Sequence, residues 1–165
     1  MPPAPADLLE VTVILPVFNE VQNLALLWPE LIGVLEAHWR HVEVIFVDDV
    51  STDGSTDWLR EVARRDGRVR HVRFARHAGH TAALDAGYRR ARAPIVVTMD
   101  SDLQSDPADI PRLVAALHDA DAATGWRVHR HDRWLKRLSS RIANFIRNRM
   151  TRETVRDSAC TLPAM

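Results

Sequence analysis

Residues 42–54 have the sequence Val-Glu-Val-Ile-Phe-Val-Asp-Asp-Val-Ser-Thr-Asp-Gly, in which an apolar run ends in two adjacent aspartates and a turn. The run Val42–Val47 is typical of a strand that is buried on both faces of a sheet. A helical pattern begins after Gly54, and its apolar positions are Trp58, Leu59 and Val62. The stretch therefore predicts a strand, a turn and a helix, which is the repeating unit of α/β proteins.

The same strand pattern occurs at three other places, Val11–Val17, Val69–Phe74 and Ile95–Met99, and helical stretches separate them. In the first helical stretch, 21–38, leucines recur at spacings of three and four and share one face: Leu24, Leu27, Leu31 and Leu35. A third helix is expected over 81–91, and Asp106 followed by Pro107 is typical of the start of a fourth. The alternation predicts a mostly parallel sheet with helices on both faces.

Composition excludes several classes of protein. The chain has 165 residues, 46% of them hydrophobic, with 22 Lys and Arg against 22 Asp and Glu, and one cysteine. These values are typical of a soluble globular domain and exclude a disulfide framework or a four-thiolate zinc site. No stretch reaches the roughly 20 apolar residues that span a bilayer, and residues 1–10, expected to be a flexible leader, lack a secretory signal pattern. We therefore expect a chain that neither crosses a membrane nor is exported by that route.

The balanced charge conceals a basic C-terminal segment. Between Arg127 and Arg156, ten Lys and Arg residues occur with two carboxylates, which gives this segment a charge of +8 and leaves −8 for the rest. A basic amphipathic helix is predicted from Trp134 to Met150, with the apolar stripe Leu135, Leu138, Ile142, Phe145 and Ile146. Its cations form either a solvated face or a surface for phosphate or an anionic membrane. Nucleic acid is a third possibility, but no nucleic-acid motif accompanies the segment.

Polar residues follow three of the predicted strands, as Asn19-Glu20, Asp48-Asp49 and Asp100-Ser101-Asp102. Ligands of parallel sheets collect at the carboxyl ends of the strands, so these residues are candidates for one site. Asp100 and Asp102 offer the oxygen ligands that Mg2+ or Mn2+ prefers, and Gln104 can add an amide oxygen. The alternative for this stretch is a polar turn that caps the next helix.

The turn at 48–54 is open to two interpretations. Ser51, Thr52 and Asp53 are residue types that cap helices and form turns, and we expect that role for them. Two adjacent aspartates exceed what capping requires, and an aspartate at this edge can accept hydrogen bonds from a base or ribose.

Four motifs in this order resemble those of the family 2 glycosyltransferases, inverting enzymes with the GT-A nucleotide-sugar fold. The motifs are residues 13–20 (Val-Ile-Leu-Pro-Val-Phe-Asn-Glu), 47–54, 77–87 (His-Ala-Gly-His-Thr-Ala-Ala-Leu-Asp-Ala-Gly) and 99–104 (Met-Asp-Ser-Asp-Leu-Gln). Gly125-Trp126-Arg127 and residues 134–140 look like the polyprenyl-phosphate branch, which includes dolichyl-phosphate mannose synthases and bacterial undecaprenyl-phosphate relatives. The resemblance implies a Rossmann-like GT-A domain over residues 11–125.

The resemblance also implies the residues of the site. The nucleoside is implied to lie against Asp49 and the turn after the first strand, and the implied donor-binding residues are Pro16, Phe18, Asn19, Glu20, Asp48, Asp49, His80, Asp100 and Ser101. The implied ligands of Mg2+ or Mn2+ are Asp100, Asp102 and Gln104. The implied catalytic residues are Asp102 and Asp157, and Asp157 matches an aspartate near the acceptor site of the family.

The implied reaction moves a sugar from a UDP- or GDP-sugar to a polyprenyl phosphate, at the cytoplasmic face of a membrane to which the chain binds peripherally. Arg127, Arg137 and Arg141 are the candidates for contacts with the acceptor phosphate, since guanidinium groups bind phosphate in a bidentate manner. A phosphate acceptor is already ionised at neutral pH and has little need of a general base. Asp157 therefore either removes a proton or only positions groups.

Three departures from the family pattern carry expectations of their own. Val50 replaces the commoner glycine, which predicts that this turn does not require a positive φ. Asp85 stands where asparagine is frequent. Relatives continue past the Asp157 segment into interfacial and often membrane-spanning helices, so residues 126–165 are expected to be a truncated acceptor-side segment.

Two other functions stay open at this point. One is a family 2 transferase that acts on a saccharide acceptor, which would need a carboxylate able to serve as a base beside that acceptor. The other is a non-catalytic module that binds nucleotide sugars and associates with a membrane.

Overall fold

The computed structural model describes residues 9–125 and 163–165. The elements are β1 Val11–Val17, α1 Val21–His38, β2 Val42–Asp48, α2 Ser55–Arg65, β3 Val69–Arg73, α3 His80–Tyr88, β4 Ile95–Thr98, a 3-10 turn Pro107–Asp109, α4 Ile110–Ala116, β5 Ala123–Thr124 and β6 Pro163–Ala164. Most of the predicted leader and the whole predicted basic helix lie outside the described residues, and so do the four candidates Arg127, Arg137, Arg141 and Asp157.

The six strands form one sheet in the order β3-β2-β1-β4-β6-β5. β1 pairs in parallel with β2 and with β4, and β2 pairs in parallel with β3. β6 runs antiparallel to both β4 and β5. The mostly parallel sheet expected from the sequence is thus confirmed. The strand order reverses between β1 and β4, and this reversal is where open α/β sheets bind their ligands.

Helices cover both faces of the sheet. On one face the buried leucines of α1 pack with Leu59 of α2 and with Ile110 and Leu113 of α4 against the alternate residues of β1. On the other face Ala83 and Ala86 of α3 pack against Ile14, Ile45 and Val47. None of the helices within residues 9–125 is long and apolar enough to cross a membrane.

The helix α3 approaches β1 closely at Gly87. A Cβ atom at Gly87 would lie 2.3 Å from Cγ2 of Ile14, whose side chain is fully buried in the sheet. Glycine therefore sets the distance between α3 and the sheet. Because α3 begins at the carboxyl edge of the strands, this packing also fixes the position of His80 at its first turn.

The observed ends of several elements differ from the predicted ones. α3 covers His80–Tyr88 instead of 81–91. It ends early because the N–H of Arg90 bonds to the carbonyl oxygen of Gly87, three residues before it, which replaces the α-helical bond to the fourth residue with a tighter turn. β3 and β4 each end one residue earlier than expected, at Arg73 and Thr98. The Asp106 carboxylate caps as predicted, by accepting a hydrogen bond from the N–H of Ala108, but the residues directly after it form the 3-10 turn Pro107–Asp109, and α4 begins only at Ile110.

A buried carboxylate ties the opposite, amino-terminal edge of the sheet together. Glu43 on β2 is 1% exposed and accepts hydrogen bonds from Thr12 on β1, from Arg70 on β3 and from Arg92 in the loop before β4. Burial by itself raises the pKa of Glu43, but the hydrogen bonds from the two arginines and from Thr12 outweigh it, so the pKa lies below its ordinary value.

Candidate functional site

A cavity of about 410 Å3 opens at the carboxyl edge of the sheet, beside the reversal between β1 and β4. Residues from the ends of β1, β2 and β4 and from the start of α3 surround it. They are Pro16, Val17, Phe18, Glu20, Asp49, His77, Gly79, His80, Ala83, Asp100, Ser101 and Asp102. Most of the site residues expected from the sequence within the described part of the chain therefore line one cavity.

The turns after β1 and β2 are locked together by side-chain hydrogen bonds. The N–H of Asn19 donates to Ser51 Oγ at 3.0 Å, and the N–H of Thr52 donates to Asn19 Oδ1 at 2.8 Å. The Asp53 carboxylate accepts from the N–H of Val21 at 3.0 Å and from the N–H of Ser55 at 2.9 Å. Asn19 thus bonds to the neighbouring turn and lines a separate, smaller cavity with Glu20 and Asp53.

The two adjacent aspartates that end β2 face different surroundings. Asp48 is fully buried, accepts hydrogen bonds from the N–H of Ser51 and from Thr56 Oγ1, and does not line the cavity. Burial raises its pKa, but the hydrogen bonds from Thr56 and Ser51 outweigh burial and hold the pKa below its ordinary value. In this structure Asp48 supports the β2–α2 turn, and Asp49 is the aspartate that reaches the cavity.

The Asp49 carboxylate holds the turn between β3 and α3. Its Oδ1 accepts from the N–H of Ala78 and its Oδ2 from the N–H of Gly79, both at 2.8 Å. Its Oδ2 also lies 2.9 Å from Nδ1 of His77. The imidazole of His77 in turn contacts the ring of Phe18, with the ring centres 4.9 Å apart and the planes tilted by 45°. The two rings form an exposed aromatic wall on this side of the cavity.

The residues after β4 form the opposite, acidic side. Asp100, Ser101 and Asp102 all line the cavity. Ser101 is the most buried of the three and donates its Oγ hydrogen to the carbonyl oxygen of Pro16 at 2.9 Å. The side chain of His80 reaches across to Asp100, with 3.0 Å between Nε2 and Oδ1. Gln104 is not among the residues that line the cavity, and its N–H donates to Asp102 Oδ1 at 3.0 Å.

The donor set on the acidic side fits a hard divalent cation in part. No group of three or more His, Cys, Asp and Glu residues within the described ranges forms a complete metal cluster. Two carboxylates that share a cavity nevertheless suit Mg2+ or Mn2+, because these ions usually keep several water ligands and take others from a substrate phosphate. Asp100 and Asp102 can therefore supply the protein's share of such a site.

The expectation for Val50 was wrong. The residue has a φ of 67°, in the left-handed region, although valine is β-branched. Its neighbours impose this conformation, because the N–H of Asp49 bonds to the carbonyl oxygen of Val17 and the N–H of Ser51 bonds to the Asp48 carboxylate. The turn therefore adopts a positive φ in this chain even with valine at the position.

Sequence reasoning did not select Val17, Gly79 and Ala83, which also line the cavity. His77 was noted only as a member of its motif. The signal for three of these residues was the 77–87 motif itself, which contains His77, Gly79 and Ala83. Gly79 has a φ of 89°, which lets the chain turn into α3.

Comparison with known proteins identifies the family. Residues 12–165 match the family described as Glycosyl transferase family 2. A dodecaprenyl-phosphate galacturonate synthase of Rhizobium johnstonii is 36% identical over 162 residues, which cover 96% of this chain and 48% of that protein. An undecaprenyl-phosphate 4-deoxy-4-formamido-L-arabinose transferase of Edwardsiella ictaluri is 37% identical over 156 residues, which cover 93% of this chain and 48% of that protein. The chain thus spans about half the length of these relatives.

Solved structures agree with the fold. The mannosyltransferase PcManGT from Pyrobaculum calidifontis, in complex with GDP-Man and Mn2+, superposes with a TM-score of 0.58 at 28% identity, over 72% of this chain and 35% of that one. S. aureus TarS 1-349 in complex with UDP superposes with a TM-score of 0.54 at 19% identity, over 69% of this chain and 33% of that one, and supports the fold alone. With a GT-A sheet, the four motifs at its carboxyl edge and relatives named as polyprenyl-phosphate sugar transferases, the chain belongs to glycosyltransferase family 2.

Proposed function

We propose that the chain carries the donor-binding and catalytic part of an inverting glycosyltransferase that moves a sugar from a UDP- or GDP-sugar to a polyprenyl phosphate. The observation that carries the proposal is the convergence of Asp49, Asp100 and Asp102 on one cavity at the β1/β4 reversal. Two relatives are named as a dodecaprenyl-phosphate and an undecaprenyl-phosphate sugar transferase or synthase, and these names support a polyprenyl phosphate as the acceptor. Residues 11–125 form the donor domain of this proposal, and residues 126–165 form its acceptor side.

The donor would lie across the cavity with its two ends on different walls. The nucleoside belongs on the side of Phe18, His77 and Asp49, where two rings offer apolar faces. The diphosphate belongs on the side of Asp100 and Asp102. Asp48 and Asn19 contribute indirectly, because their side chains hold the turns that carry the lining residues. Ser101 lines the cavity and also joins the end of β4 to β1 through its hydrogen bond to Pro16.

Asp100 and Asp102 would hold Mg2+ or Mn2+, with Gln104 as the third candidate ligand. When bound, such an ion neutralises the charge that develops on the departing diphosphate. The chemistry of two carboxylates beside an anionic substrate supports this assignment, because without a cation they would repel it. Mn2+ in the PcManGT complex also supports it.

In the proposed transfer, a phosphate oxygen of the lipid forms a bond to the anomeric carbon while the bond from that carbon to the nucleoside diphosphate breaks. The configuration inverts, and the nucleoside diphosphate leaves. Arg127, Arg137 and Arg141 are our candidates for holding the acceptor phosphate, and Asp157 for a position beside it. The basic character of their segment suits an anionic membrane surface at the cytoplasmic face.

A transfer assay tests this function. The chain is incubated with radiolabelled UDP- and GDP-sugars, Mn2+ and undecaprenyl phosphate in detergent, and in parallel with oligosaccharide acceptors. We expect label to enter the lipid phosphate, and Asp102→Asn to abolish that transfer while Asp57→Asn, an exposed carboxylate on α2, preserves it. Transfer to the saccharides alone would contradict the acceptor class. Donor binding without any transfer would show a binding module in place of an enzyme.

A further inference from the structure

His80 bonds to one oxygen of the Asp100 carboxylate and leaves the other available. The distance from His80 Nε2 to Asp100 Oδ1 is 3.0 Å, and within the described ranges Oδ2 of Asp100 has no hydrogen-bond partner. A carboxylate only accepts hydrogen bonds, so this contact is a hydrogen bond in the tautomer that has the proton on Nε2 of His80. The imidazole is thus the side-chain group, among the described residues, that fixes the rotation of Asp100.

The position of His80 is itself determined by contacts on both sides of it. On the N-terminal side of His80, Asp49 accepts hydrogen bonds from the N–H groups of Ala78 and Gly79 and so fixes the turn that leads into α3. On its C-terminal side, Gly87 allows α3 to lie close against Ile14 of β1. The first turn of α3 is therefore held relative to both β2 and β1, and His80 extends from it towards the end of β4.

We propose that His80 is a positioning residue, which orients the Asp100 carboxylate for the divalent cation of the donor and does not itself contact the nucleotide. This inference rests on the proposed function. It assigns His80 a narrower role than donor binding, because its effect passes through Asp100. Partners that orient a metal-binding side chain in this way commonly change metal affinity by about tenfold to a hundredfold when they are removed.

The test measures nucleotide binding with and without metal. UDP and GDP are titrated calorimetrically into the full chain with Mn2+ and then with EDTA, for wild type, His80→Ala and His80→Gln. We expect His80→Ala to reduce the gain in affinity that Mn2+ gives by about tenfold and to leave binding in EDTA unchanged. His80→Gln should restore most of the gain, because the glutamine amide also carries an N–H that can reach Asp100.

A matched control removes a similar pair elsewhere. His118 and Asp119 form an exposed histidine–carboxylate contact of 2.9 Å beyond the end of α4, away from the cavity. His118→Ala should leave binding unchanged both with Mn2+ and with EDTA. Equal thermal unfolding midpoints for all variants would show that their folds are equally stable.

Combining His80→Ala with Asp100→Asn separates the possible roles of His80. If His80 acts through Asp100, His80→Ala has no further effect in the Asp100→Asn background. If His80→Ala reduced nucleotide affinity equally in the wild-type and Asp100→Asn backgrounds, His80 would contact the nucleotide directly, and the inference would be overturned. A reduction of affinity that also occurs in EDTA would overturn it in the same way. Wild-type affinity in His80→Ala would overturn it as well. If the wild type shows no binding that depends on Mn2+, the proposed function fails first, and this outcome is distinct from the others.

Discussion

Three residues at the carboxyl edge have positive φ angles although none is glycine. They are Asn19 at 58°, Val50 at 67° and Leu103 at 61°, and they follow the ends of β1, β2 and β4 respectively. Asparagine tolerates this region, whereas valine and leucine do so at a cost. Local hydrogen bonds hold two of these turns in place. The Asp48 carboxylate accepts from the N–H of Ser51, and the Asp102 carboxylate accepts from the N–H of Gln104. Backbone strain is thus concentrated around the cavity, as it commonly is at functional sites.

Val50→Gly should make the protein more stable. An L-residue in the left-handed region costs about 1–2 kcal/mol. Glycine avoids that cost, but its greater conformational freedom in the unfolded chain costs about 0.5–1 kcal/mol, so the free energy of unfolding should rise by up to about 1.5 kcal/mol. Urea denaturation measures this change. Val50→Ala retains the Cβ atom and should give no gain, and a Val50→Gly protein as unstable as Val50→Ala would contradict the claim of strain.

Single residues of the site were only partly predictable from the sequence. The resemblance implied that Asp49 lies against the nucleoside, but it gave Asp48 as a donor-binding residue as well. The burial of Asp48 away from the cavity depends on how the strand sits in the sheet, which the motif does not contain. Glu43 shows the same limit, since its role as a buried anchor depends on arginines 27 and 49 residues further along the chain. The hydrogen bonds that Asp49 accepts from the N–H groups of Ala78 and Gly79 likewise join residues 29 and 30 positions apart in the chain.

At the scale of elements, the contact between α3 and β1 determines where the start of α3 lies. Gly87→Ala would place a Cβ atom against the buried Ile14 side chain, which cannot move aside without disturbing the sheet. We expect a destabilisation of about 1–3 kcal/mol, the usual cost of overpacking a core. Because α3 carries His80 and Ala83, affinity for the donor nucleotide should fall as well.

Gly33→Ala is the matched control for this substitution. Gly33 also lies within a helix, α1, but a Cβ atom there would meet no atom within 4 Å. Alanine is the better helix former by about 1 kcal/mol, so this variant should be slightly more stable than the wild type. Thermal denaturation of both variants distinguishes the cases. A Gly87→Ala protein that gains stability like Gly33→Ala would show that α3 does not depend on the close approach.

The existence and order of the elements were predictable because each has a clear apolar period. The leucines expected on one face of α1 are the ones buried there, and the predicted strands form the parallel part of the sheet. Their ends were less predictable, because contacts with other elements decide them. α3 begins at His80, one residue before the predicted start, after a turn that Asp49 fixes from the end of β2.

At the scale of the whole molecule, the two edges of the sheet use carboxylates differently. At the amino-terminal edge, Glu43 is paired with two arginines and stabilises the fold. At the carboxyl edge, Asp49 is occupied by backbone N–H groups and Asp100 by His80, while Asp102 accepts only a backbone hydrogen bond within the described ranges. An anionic diphosphate bound beside Asp100 and Asp102 would be repelled unless a cation lay between them. Metal-dependent donor binding is therefore the property on which the proposed function depends most.

The most direct test of that claim is a calorimetric titration of UDP and GDP with Mn2+ and then with EDTA, on wild type, Asp102→Asn and the control Asp57→Asn. We predict that one of the two nucleotides binds the wild type and Asp57→Asn in the presence of Mn2+. This binding should be lost in EDTA and in Asp102→Asn, whose thermal midpoint should stay close to that of the wild type. Binding of neither nucleotide would contradict the proposed donor site. Equal binding with Mn2+ and with EDTA that Asp102→Asn does not weaken would contradict it as well.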